Sequence, residues 1–164
     1  CARKNAAFAD HVPETEEYGI ASFTYRARAP FDPRKIHAVL NDSLQGVIRA
    51  KGHFWIATRP DWVAEFSLAG ALSSVAPLGT WWASVPRERW PSHDQAQAYM
   101  QNHWQEPFGD RRQELVFIGA GIDWAQLKAK LDACLIGGAT EATLSDYADL
   151  PDPFPVWRRS PAAA

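Results

Sequence analysis

Residues 47–70 read VIRAKGHFWIATRPDWVAEFSLAG. In the first half Ile48, Ala50, Gly52, Phe54 and Ile56 alternate with Arg49, Lys51, His53 and Trp55. In the second half Trp62, Ala64, Phe66 and Leu68 alternate with Asp61, Val63, Glu65 and Ser67. Alternation with a period of two is the mark of a strand with one face buried and one face wet. The turn at Arg59–Asp61 is far too short for a parallel crossover, so the two runs form an antiparallel hairpin.

The flanking sequence builds outward from that hairpin. Upstream, IASFTYRARAP (20–30) alternates in the same way and is closed by Pro30. Asp32-Pro33 then supplies a helix N-cap and a first-turn proline, with Ile36, Val39, Leu40 and Leu44 at helical spacing and Gly46 as the stop. Downstream, the Gly/Ser/Pro stretch 70–79 reads as a loop, and TWWASVP as a short strand. Ser92 with Gln95 fits a capping box before the helix carrying Ala96, Tyr99, Met100, His103 and Trp104. RQELVFIGAG (112–121) reads as a strand. Asp123 with Gln126 opens a last helix, whose apolar stripe is Leu127, Leu131, Cys134 and Leu135. The four prolines of LPDPFPVWRRSP (150–161) exclude regular structure there, with Phe154 and Trp157 placed to pin the tail to the body. The order predicts an α+β fold: a mainly antiparallel sheet with helices packed on one face, ferredoxin-like βαββαβ with additions. The expected division is a linker or the end of an upstream domain over 1–18, the α+β domain over 19–140, and a Pro-rich tail over 141–164.

Composition narrows the function. The chain has 164 residues, 46% hydrophobic, with a formal net charge of −2. One domain with a self-sufficient core is the expectation at this length. A near-neutral balance lacks the basic footprint of a general nucleic-acid binder, and no apolar run approaches the ~20 residues that span a bilayer. Two cysteines, Cys1 and Cys134, exclude a disulfide framework and a CxxC zinc site and point to a reducing, cytoplasmic setting. The start at Cys1, the single Met100 and the end in Ala162-Ala163-Ala164 read as a fragment.

GAGIDW (119–124) has Trp124 where a dinucleotide-binding loop needs its third glycine, so it reads as a strand-to-helix turn. His11, His37, His53, His93 and His103 include no i, i+4 pair and none lies near a cysteine in the sequence, so no metal set is expected. No GxSxG frames a serine, no GxxxxGK[ST] is present, and Cys134 falls on a buried stripe. No catalytic, cofactor or metal residue is therefore assigned. What remains is a surface: Arg49, Lys51, His53 and Trp55 on one strand face, Arg59 at its end, and Arg87, Arg89, Arg111 and Arg112 at turns. That pattern is either a solvated sheet face or a docking surface, since Trp and Arg are favoured interface anchors.

Five segments carry a family resemblance: EYGIASFTYRARAPFDPRKI (17–36), GVIRAKGHFWIATRPDWVAEFSLAG (46–70), WWASVPRERWP (81–91), EPFGDRRQELVFIGAGID (106–123) and LPDPFPVW (150–157). Together they resemble the CobW C-terminal domain, which follows the GTPase domain in a family of metal-handling P-loop GTPases. The resemblance implies a parent that uses GTP, with Mg, to deliver zinc, or in some branches cobalt for cobalamin synthesis, to a client metalloprotein. It places the nucleotide motifs and a CxCC metal motif in the upstream domain, so none of them maps onto a residue of this chain. Many members also carry a histidine-rich run near this domain; here HVPETEEYG has only His11.

The expectation is a non-catalytic module that couples the GTPase domain to client recognition or to self-association. Contacts are expected from Arg49, Lys51, Trp55, Arg59, Trp62, Arg111 and Arg112. Its partners would be its own GTPase domain, the client and a second copy, with neither nucleic acid nor membrane. The alternative is a small-ligand or metal-binding domain with a site of its own.

Overall fold

The computed structural model describes residues 19–159; the linker expected over 1–18 and the end of the tail lie outside the described residues. Five strands form one sheet: β1 (Ile20–Ala27), β2 (Val47–Phe54), β3 (Trp62–Ala69), β4 (Leu72–Thr80) and β5 (Gln113–Ala120). Their order is β1-β5-β2-β3-β4, every neighbouring pair antiparallel. Helices α1 (Pro33–Asn41), α2 (Asp94–His103) and α3 (Trp124–Asp132) complete the α+β fold, with short 3-10 turns between. Because β5 slots between β1 and β2, the β1–α1–β2 unit is a split βαβ crossover, the ferredoxin-like part of the layout. The β3–β4 hairpin and the segment 81–112 are the additions.

Local chemistry sets the helix starts. Asp32 Oδ1 accepts from the backbone N–H of Arg34 and Lys35, with Pro33 in the first turn of α1, as expected. Asp123 caps α3 by accepting from Gln126 N–H. At α2 the cap is His93, whose Nδ1 accepts from Ala96 N–H, and not Ser92; the helix starts one residue later than the serine signal places it.

The core lies on one side of the sheet. Ala50 and Phe54 of β2, Ala64 and Phe66 of β3, and Leu115 and Phe117 of β5 meet Ile36 and Leu40 of α1 and Leu127 and Leu131 of α3. Tail residues Phe154 and Trp157 close this cluster, as the sequence suggests. β2 and β5 approach so closely that a side chain at Gly52 would overlap the Glu114 carbonyl. A second cluster, of Trp55, Trp81, Phe108 and Leu144 with Val63 against it, fills one end of the opposite side. α2 buries no residue; Arg28 Nη1 donates to its His103 carbonyl at 2.8 Å, and Tyr99 hydrogen-bonds Arg112.

The strands also depart from the sequence reading. The register between β2 and β5 shifts between Val47 and Arg49, a bulge that turns Ile48 out of the apolar row to 51% exposure. The stretch read as a loop is β4: the tight turn at Gly70, with φ 62°, folds it straight back on β3, and the short strand expected at TWWASVP is a 3-10 turn over Trp82–Ser84. Ladder pairing along β3 outweighs the weak strand preference of Ser73, Ser74 and Pro77, and an edge strand tolerates the proline.

Candidate functional site

Cross-strand partners point to the same side of a sheet, so the register defines the rows of the face opposite the core. The first row is Arg26, Glu114, His53 and Glu65 on β1, β5, β2 and β3. The second is Thr24, Val116, Lys51, Ser67 and Ser74. The third is Ser22, Ile118, Arg49, Ala69 and Leu72.

The first row is partly roofed. His53 packs edge-on to Trp81, ring centroids 5.7 Å apart, and its Nε2 is buried without a partner among the described residues. Burial first, and then the Arg112 charge, lower the His53 pKa and keep the imidazole neutral. Arg112 itself is buried; it donates to Tyr99 Oη at 3.1 Å and the Asp110 carbonyl at 3.0 Å, and its Nε lies 3.4 Å from Glu114 Oε2. Asp110, buried beside it, accepts from the backbone N–H of Trp82 and Ala83 and so fixes the 3-10 turn.

The second and third rows are open. Ser22, Arg49, Lys51, Ala69, Leu72 and Ser74 are exposed, and Thr24, Ser67, Val116 and Ile118 are half-buried. Arg49 and Lys51 have no ion-pair or hydrogen-bond partner among the described residues. This is a patch with two unpaired cations at its centre and apolar Val116 and Ile118 beside them on β5.

The other residues expected at a contact surface are engaged inside the domain. Trp55 lies one residue past the end of β2 and is fully buried. Its backbone N–H donates to Gln113 Oε1 at 2.8 Å and its indole N–H to the Arg28 carbonyl at 3.2 Å. Arg111 donates to the Pro60 carbonyl, Ser84 Oγ and Glu141 Oε2, at 2.8, 2.9 and 2.8 Å. Arg59 grips the tail through Asp152, the Phe154 and Pro155 carbonyls and the face of Trp157. Trp62 packs edge-on to Trp157 and accepts from the Trp81 indole through its carbonyl. Trp55, Arg59, Trp62, Arg111 and Arg112 thus each have partners within the fold, whereas Arg49 and Lys51 lie on the open face. Thr24, Ser67, Val116 and Ile118 share that face although the sequence reading does not single them out. The alternation of β5 carried the signal for Val116 and Ile118, but only the pairing of β5 with β2 puts them beside Lys51 and Arg49.

Among the described residues, no group of three or more His, Cys, Asp and Glu is arranged to hold a metal ion. Cys134 is buried, its Sγ 3.2 Å from the Lys130 carbonyl, and burial pushes its pKa up to about 11. These residues do not fit a zinc site.

Residues 20–135 match the family described as the cobalamin synthesis protein cobW C-terminal domain. The chain belongs to this family. This CobW C-terminal domain is 41% identical over 133 residues to the zinc-regulated GTPase metalloprotein activator 1 of Dictyostelium discoideum, covering 79% of this chain and 28% of that protein. It is 31% identical over 143 residues to a zinc chaperone of Mycobacterium tuberculosis, covering 87% of this chain and 36% of that protein. The chain thus spans about a third of the length of these relatives. Its fold is similar to part of the Zn(II)-bound YjiA GTPase of E. coli, with a TM-score of 0.50 and 18% identity over 72% of this chain and 30% of that one. No helix of the CobW C-terminal domain, among the described residues, is long and apolar enough to cross a membrane.

Proposed function

We propose that this chain is the C-terminal module of a GTP-dependent zinc chaperone of the reducing cytoplasm, and that it couples an upstream GTPase domain to the recognition of a client metalloprotein. In this reading GTP, Mg and zinc are handled upstream and the module itself does no chemistry. The relatives named as a zinc-regulated GTPase metalloprotein activator and a zinc chaperone support it. The observation that carries the coupling role is the open half-face with Arg49 and Lys51 unpaired among apolar neighbours. An acidic surface bordered by apolar groups would be its complement.

The upstream domain is the favoured occupant. β1 starts at Ile20, which pairs with Ala120 at the end of the sheet where Ser22, Ile118 and Arg49 form the third row. A domain joined upstream of Ile20 enters from that end of the sheet, and the covalent link raises its effective concentration at the patch.

The test is the R49E/K51E double variant in the full-length protein. GTP hydrolysis and zinc transfer to the client should lose coupling by about 1–3 kcal/mol, the size of a disrupted interface charge contact, while the melt of the isolated chain stays unchanged. Unchanged hydrolysis and transfer would return the face to simple solvation.

A further inference from the structure

The edge strand β4 has features of a self-pairing surface. From Phe66 to Pro86 the sequence contains no charged residue, although 22% of the whole chain is charged. Natural sheet edges are guarded by charge, by proline or by a bulge. The opposite edge, β1, carries Arg26; β4 carries no charge, and its guards, Pro77 and the bulge at Leu78, lie at its C-terminal end. Two of the four exposed large hydrophobic side chains among the described residues are on this strand, the others being Ile48 of β2 and Val156 of the tail. Leu72 is 80% exposed and Leu78 59%, both on β4, and Ile48 lies alongside, its carbonyl accepting from Gly70 N–H at 3.0 Å.

The β3–β4 register says which backbone groups are free. Ala69 faces Leu72 across the two-residue turn, so that pair is hydrogen-bonded, and the pattern then alternates as far as Ala64–Pro77, beyond which a bulge at Leu78 shifts the register. Ser73, Val75 and Pro77 fall at the non-hydrogen-bonded positions, facing Leu68, Phe66 and Ala64. Their free backbone groups therefore point away from the sheet. Pro77, which has no N–H, sits where no donor is needed to hold β4 on β3.

We infer that β4 pairs antiparallel with β4 of a second copy of this chain, about a twofold axis at Val75. The segment Leu72–Leu78 reads LSSVAPL, with a leucine three residues to either side of Val75 and small or compact residues between. Under that axis Val75 exchanges both backbone hydrogen bonds with its own copy. Each Ser73 N–H meets the Pro77 carbonyl opposite, so the missing proline donor removes one bond per copy and no more. Leu72 of each copy comes near Leu78 of the other, at the bulge that ends the regular ladder. The absence of charge matters because a twofold axis lays the strand against a copy of itself, so a cation or carboxylate near Val75 would lie close to its own copy. The two five-stranded sheets become one of ten strands. One strand pair buries less than the roughly 1,200–2,000 Å² of a standard stable interface, so the dimer is weak and concentration-dependent.

The inference does not depend on the metal-chaperone reading, and its test needs neither nucleotide nor metal. Sedimentation equilibrium of the 164-residue chain over a wide concentration range should show reversible dimerisation, with the Ser73 and Val75 amides gaining hydrogen-exchange protection as concentration rises. Ser73→Pro deletes an outward donor, and Ser74→Lys places a charge on the exposed strand next to its own copy. Each should leave the chain monomeric over the range in which the wild-type chain dimerises, with an unchanged melting temperature. R49E/K51E, away from the edge, should dimerise like wild type. If Ser73→Pro fails to fold, Ser74→Lys decides alone. A chain that stays monomeric throughout, amides protected equally at all concentrations, or a dimer that survives Ser74→Lys would overturn the inference.

Discussion

Arg59 and Asp152, 93 residues apart, meet as a two-point ion pair, with Nε–Oδ2 at 2.9 Å and Nη2–Oδ1 at 3.0 Å. Thr58 Oγ1 donates to the same carboxylate at 2.6 Å, and the Arg59 guanidinium lies 4.3 Å from the Trp157 ring centroid. The turn of the central hairpin therefore holds the tail, and the tail delivers Phe154 and Trp157 to the main core.

Arg59→Ala should free that tail. The pair is mostly but not fully buried, so a loss of about 2–3 kcal/mol in denaturant unfolding is expected, at or somewhat below the range for fully buried pairs. Arg59→Lys should recover little, because an ammonium cannot match the two-point geometry and the stacking together. A lysine variant as stable as wild type would refute the clamp.

Phe54→Ala should cost about 3–5 kcal/mol, since Phe54 is fully buried between Phe31 and Phe154. Reversal of Arg49 or Lys51 on the same strand should stay within about 0.5 kcal/mol in the isolated chain. Paired thermal melts test both faces of β2 at once.

The contrast between those faces marks how far the sequence could be read. Alternation at 47–70 gave the hairpin, and the Asp32 and Asp123 caps gave two helix starts, because period and capping are local signals. β4 was not legible, since ALSSVAPLGT is written in turn residues and becomes a strand only because β3 offers a ladder. Nor could residue type tell an interface tryptophan from a core one: Trp55 continues the polar register of β2 in sequence but follows the last strand residue, and the second cluster closes over it. The cations divide for the same reason. Arg49 and Lys51 sit mid-strand on an open face, whereas Arg59, Arg111 and Arg112 sit where chain segments converge and carbonyls need donors.

Acid should destabilise the domain earlier than its carboxylates alone require. The fold lowers the His53 pKa, so the unfolded state takes up that proton first. The His53 contribution is complete above the ordinary histidine value near ~6.5 and falls away as the pH drops below it, before carboxylates titrate near ~4. His103 is shifted in the same direction, by burial and then Arg112. The groups facing His53 are Glu65, Glu114, Arg112 and His103. His53→Phe retains a ring against Trp81 and should flatten the melting temperature between about pH 6.5 and 5. An undiminished slope in that variant would assign the acid limb elsewhere.

Gly52→Ala isolates the close approach at the centre of the sheet. An added Cβ would overlap the Glu114 carbonyl oxygen and lie 2.7 Å from Leu115 Cα, and both are backbone atoms of the neighbouring strand that no rotamer change can move. The strands β2 and β5 must separate locally, which weakens the ladder joining the β1–β5 pair to the rest of the sheet. The expected loss is about 3 kcal/mol or more, at or beyond the upper end for overpacking, because the strain falls on paired backbone. Gly79→Ala is the control: it adds the same methyl to β4, where no atom lies within 4 Å, and should change stability little. Loss of the His53 and Leu115 amide protection in Gly52→Ala, with Phe23 on β1 and its partner Phe117 on β5 less affected, would locate the opening at this crossing. Equal melting temperatures for the two variants would mean that the strands are not held this tightly.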